Sequence, residues 1–125
     1  MALTMYRILA VFIPLVHLCF ILWVILGAVL TRGRRLLTGL HLGTLAYGFL
    51  IEIVPWGCPL TRLEQWARVG AGMAPYPGDF IRHYLELVIY PDVPYLWLIW
   101  GAGVVCALNA AVYARRWRGC KSRDE

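Results

Sequence analysis

Charge is scarce in this sequence. Of 125 residues, 15% are charged and 61% are apolar. A soluble domain carries about 25% charged and about 45–50% apolar residues, so the balance does not suit a water-soluble globule. Disordered, collagen-like and coiled-coil chains are excluded by the same composition. Motifs are missing too. The sequence has no CxxC, no HExxH and no CxxCH, the spacings that mark zinc, metalloprotease and c-type haem chemistry. It has no internal repeat and no low-complexity stretch. The first apolar run exceeds the roughly 7–15 residues of a signal-peptide core, and no small-x-small cleavage site follows it. Neither end carries a lipidation motif.

Long apolar runs are what the sequence does have. A membrane-spanning helix needs about 20 mostly apolar residues. Ile8 to Leu30 supplies 23 with no formal charge, Leu36 to Pro55 supplies 20 with Glu52 alone, and Val93 to Tyr113 supplies 21 with none. The fold class is therefore an all-α membrane protein. Its three transmembrane helices (8–30, 36–55 and 93–113) form one integral-membrane domain over 1–125, with a connecting segment 56–92 and a basic tail 114–125. No remaining stretch is long enough for a separate soluble core.

The basic residues set the orientation. Arg32, Arg34 and Arg35 fill the first turn, and Arg115, Arg116, Arg118, Lys121 and Arg123 follow the third span. The positive-inside rule places both clusters in the cytoplasm, with the N-terminus and segment 56–92 outside. The net charge of +5 is thus a topology signal, with anionic lipid headgroups as secondary partners and no nucleic acid.

Cys58 is the one outward cysteine, so no intramolecular disulfide is expected; Cys19 and Cys106 fall in spans as small apolar fillers. In the outer segment, Pro55-Trp56-Gly57-Cys58-Pro59 stops the second span. Thr61 with Glu64 three residues on spells a capping box, predicting a short amphipathic helix over 62–69. Asp79 is placed to cap a second over 79–90, whose apolar residues follow helical spacing and whose Arg82 and Glu86 form an i,i+4 pair. Twelve residues cannot span a bilayer, so both short helices are expected on the outer face.

The string Cys58-Pro59-Leu60-Thr61-x-Leu63-Glu64 resembles the hallmark of a bacterial membrane family known as domain of unknown function 2784. Gly78-x-Phe80-Ile81-x-His83-Tyr84-Leu85 and Tyr90-Pro91 resemble its second motif, and His17 and His41 also look like family features. The resemblance covers about residues 5–115. It implies a multi-pass bacterial inner-membrane protein and implies no activity.

Polar and ionisable side chains inside a bilayer are costly unless paired or wetted, so His17, His41, Glu52 and Asn109 carry the information. His41 lies six residues after Arg35 and Asn109 six before Arg115, each about 9 Å deep at helical rise; the expectation is a His41–Asn109 hydrogen bond between spans two and three. His17 and Glu52 share a depth of about 22–25 Å from the cytoplasmic edge. Gly27 and Gly48 would allow the helices to approach closely. With His83, and with Glu64 beside them, His17 and Glu52 are expected to converge at the outer end. That set suits a structural polar network, a proton or small-ligand site, or metal ligation through His17, Glu52 and His83. Cofactor binding, as haem or a metal ion, would use His17 and His83.

Two functions follow. The first is a non-catalytic accessory or scaffold subunit, packing on other membrane proteins or on itself through small residues such as Gly101, Ala102 and Ala107. The alternative is a haem- or metal-binding redox carrier using the outer histidines. A third class, an enzyme or transporter for a lipid-soluble substrate, lacks an oriented nucleophile and base and an inverted repeat. A nucleophilic Cys58 is the weaker reading beside a turn cysteine packed near Trp56.

Overall fold

A computed structural model describes residues 1–54, 56–78, 80–89 and 94–123. Five helices follow in chain order: α1 (Ala2–Leu30), α2 (Arg35–Ile53), α3 (Pro59–Gly70), α4 (Phe80–Val88) and α5 (Tyr95–Lys121). No strand occurs among the described residues. Helices α1, α2 and α5 are long and apolar enough to cross a membrane. The Asp79 cap and the element ends placed at Pro55, Tyr90 and Val93 lie outside the described residues.

Helix α1 begins six residues before its uncharged run. The reason is α3, which lies along the first half of α1. Ala10 and Ile13 form a buried core with Ala67 and Ala71, and Tyr6, Leu9 and Leu60 pack around it. Alanines on both helices bring the backbones close, and a side chain at Gly70 would overlap the Tyr6 ring. Away from α3, α1 leaves Ile8, Val11, Phe12 and Leu15 exposed, as a lipid-facing surface requires. Pro14 lies inside α1, as membrane helices tolerate when neighbours satisfy the freed carbonyl.

Gly33, at φ 79, makes the sharp turn between α1 and α2, a conformation that costs other residues a Cβ clash. The last long helix outruns its apolar segment and carries the basic residues up to Lys121 as helix. Cations in the final turn favour this, because the C-terminal end of the helix dipole is negative.

Helix α3 does not start as the capping box predicts. Pro59 is its first residue, Cys58 its N-cap, and no side chain caps it. Proline suits that position because its missing N–H would be unpaired anyway. Thr61 and Glu64 therefore lie inside the helix and are buried. The predicted Arg82–Glu86 pair forms, at 2.8 Å.

Candidate functional site

The polar residues of the spans fall into two layers. At the arginine end, His41 is fully buried. Its Nε2 lies 3.1 Å from the Val24 carbonyl and its Nδ1 lies 2.7 Å from the Tyr113 hydroxyl. A carbonyl only accepts, so Nε2 carries the proton, and in the neutral ring Nδ1 accepts from Tyr113. The Thr31 hydroxyl extends the chain, 3.1 Å from Tyr113.

Asn109 donates to Val105 at 2.8 Å and reaches the Val24 and Ile25 carbonyls at 3.4 and 3.3 Å. Its Oδ1 accepts from the Ala28 amide. The direct His41–Asn109 bond expected from depth is therefore replaced: both side chains converge on Val24. Tyr113, one turn beyond Asn109 on the same face, is long enough to take the His41 nitrogen instead. Close approach at Gly27 makes room for the His41 ring, whereas Gly48 makes only ordinary contact with Val24.

At the opposite end, the loop residue Tyr76 organises the short helices. Its hydroxyl donates to Glu64 Oε2 at 2.8 Å, and the Tyr84 hydroxyl reaches Oε1 at 3.5 Å. Gln65 binds the Tyr76 backbone at both N and O. The Tyr76 ring stacks on His83, with centroids 3.8 Å apart and planes 6° from parallel, and the Arg68 guanidinium lies 5.3 Å from its centroid. Burial, then the hydrogen bond to Glu64 and its charge, push the Tyr76 hydroxyl well above the usual tyrosine pKa. Burial also raises Tyr84, with the Glu64 charge adding to it and Arg68 opposing. No sequence pattern marks Tyr76, because it lies in a loop.

Between this lid and the spans is a cavity of about 320 Å³, walled by α1, α2, α4, α5 and the start of α3. Ligand cavities run from about 300 to 1,000 Å³. Phe20, Val24, Leu45, Phe49, Leu85 and Leu98 are among its apolar lining residues, and His17, Glu52, Cys58 and Thr61 make its polar part. The Tyr95 hydroxyl donates to the Glu52 carbonyl. The His17 ring stacks on Phe80 with centroids 4.0 Å apart, and its Nε2 lies 3.9 Å from Cys58 Sγ. His17 Nδ1 and Thr61 Oγ1 are buried without a hydrogen-bond partner in the structure.

His17 and Glu52 both line this cavity. His83 does not line it. Aromatic contacts through Phe80 and Tyr84 connect the two histidines instead. Among the described residues, no three His, Cys, Asp or Glu side chains are grouped to hold a metal ion. Glu64 faces Tyr76 and Tyr84 rather than joining His17.

The family model described as Protein of Unknown function (DUF2784) matches residues 7–114, and the chain belongs to that family. No curated protein and no solved structure matches the chain.

Proposed function

We propose that the chain is a non-catalytic accessory protein of a bacterial inner membrane that holds a lipid-soluble molecule in the cavity between its spans and its lid. One observation carries this reading. His17 Nδ1 and Thr61 Oγ1 are buried beside an apolar cavity with no protein partner. Leaving such a group unsatisfied costs about 1–3 kcal/mol, so a molecule supplying a hydrogen-bonding end would recover that energy.

The remaining polar groups support a binding role over an enzymatic one. His41, Asn109 and Glu64 are each held by internal hydrogen bonds. Cys58 and His17 make the nearest approach to a nucleophile and base, yet a working pair needs a third group that orients the base, and His17 Nδ1 has none. The haem or metal carrier draws less support, because His83 is stacked on Tyr76 outside the cavity. Partnership with other membrane subunits is favoured by α2, where Gly39 and Gly43 are exposed with open space beside them, a spacing that admits another helix.

The test is native mass spectrometry of protein released from mild detergent after loading with n-dodecanol. One retained molecule is expected, with retention lost in Ala102→Phe, which fills the cavity. Equal retention by the filled variant, or none by the parent, would overturn the reading.

A further inference from the structure

A second depression adjoins the cavity from the lid side. It holds about 440 Å³ and is lined by residues that include Gly57, Cys58, Thr61, Arg62, Gln65 and Tyr76. Cys58 and Thr61 line both spaces. The two residues are a shared partition, with the apolar chamber on one side and a groove holding Arg62 and Gln65 on the other. The groove is shaped by backbone that only glycine adopts readily: Gly57 at φ 72 and Gly78 at φ 84 both border it. Its far wall is fixed by the paired hydrogen bonds between Gln65 and the Tyr76 backbone.

Charge separates the two spaces. Arg62 is the one formally charged side chain among the described residues lining the groove, and its guanidinium donates to the Trp56 carbonyl at 2.5 Å, which holds it near the groove. Guanidinium has five N–H donors, so others remain for a ligand. The inner chamber instead has a carboxyl among its lining residues, from Glu52, which disfavours an acidic group there.

Resting on the cavity reading above, we infer that the ligand is a single-chain amphiphile with an acidic head, its chain in the apolar cavity and its carboxylate in the groove against Arg62. The chain passes the partition beside Thr61. Arg62 matches a carboxylate in charge and in hydrogen-bond geometry. A neutral alcohol of the same chain fills the chamber but leaves Arg62 unused. The occupant is drawn from the surrounding bilayer, because short water-soluble acids have no chain for the chamber.

The position of Cys58 in the partition gives a direct readout. Alkylation of Cys58 by N-ethylmaleimide is followed by peptide mass spectrometry on the full chain in nanodiscs of neutral phosphatidylcholine, with the exposed Cys120 as the internal rate standard. Added n-dodecanoate should slow Cys58 alkylation roughly tenfold more than n-dodecanol does, the scale of one charge-assisted hydrogen bond. Acetate should have no effect. Arg62→Gln should reduce dodecanoate to the level of dodecanol, and Arg62→Lys should keep part of the difference. Equal protection by acid and alcohol, each abolished by Ala102→Phe, would overturn the acidic head and leave the cavity reading standing. No protection by either molecule would overturn both.

Discussion

The Tyr76 hydroxyl donates a 2.8 Å hydrogen bond to the fully buried Glu64 carboxyl, twelve residues earlier in the chain. This bond ties the loop that follows α3 back onto α3 itself. Tyr84 adds a second, longer reach from α4 to the other oxygen. Glu64 is therefore the point at which α3, the loop and α4 become one lid.

Removing the donor should loosen that lid. Tyr76→Phe leaves Glu64 Oε2 buried without its closest donor, at a cost of about 1–3 kcal/mol. Replacing Glu64 by Leu in the same background removes the orphaned oxygen, so the double variant should lose less than the sum of the singles. The readout is the rate of proteolytic nicking within 71–78, which should rise in Tyr76→Phe. Strict additivity of the two changes would show that the pair is not coupled.

Alkaline pH should act on the same contact. Both tyrosines titrate above 10.0, the ordinary tyrosine value, in the folded lid. A raised folded-state pKa means the stabilisation is complete below that value and is lost as pH rises beyond it. Nicking within 71–78 should therefore accelerate above pH 10.0, with a smaller change in Tyr76→Phe. Tyrosinate absorbance from these two side chains should develop together with lid opening. Titration of both before any nicking would contradict the linkage.

The sequence made the spans and the lid's second helix legible, and for physical reasons. Charge-free runs, clustered arginines and a 3.6-residue apolar pattern are all local signals. The Arg82–Glu86 pair is also local, and it forms. The misreading at Thr61 and Glu64 has a different origin. Their spelling is that of a helix start, but Pro59 starts the helix three residues before the predicted Arg62 and turns both inward. The true partner of Glu64 comes from a loop without periodicity. Depth arithmetic likewise put His41 and Asn109 at one level. It could not weigh the reach of Tyr113. The spacing of Tyr113 four residues after Asn109 was the available clue.

Orientation is open to a labelling test. The arginine clusters favour a cytoplasmic C-terminus, with the lid outside. Cys58 borders the groove, and Cys120 is exposed at the other end of the chain. A membrane-impermeant thiol reagent should label Cys58 and not Cys120 in intact spheroplasts. Met73→Cys supplies a more exposed lid reporter, since Met73 is at the surface. Labelling of Cys120 with silence at both lid positions would invert the topology.

Gly27 supplies the sharpest test of the buried network. A Cβ there would overlap the His41 ring at Cδ2 and Nε2. The ring has no easy retreat, because Val24 holds Nε2, Tyr113 holds Nδ1 and Trp23 packs edge-on against it. Helix propensity favours alanine over glycine by about 1 kcal/mol, while overpacking costs typically about 1–3 kcal/mol. Loss of a histidine hydrogen bond adds about 0.6–1.7 kcal/mol at membrane values. The clash should win, so Gly27→Ala should lower stability in detergent unfolding assays. The sign should reverse in a His41→Ala background, where the ring is gone and only the propensity gain remains. A Gly27→Ala change that stabilises the parent chain would mean that the ring moves freely and that the Tyr113–His41–Val24 chain does not fix the packing of α1, α2 and α5.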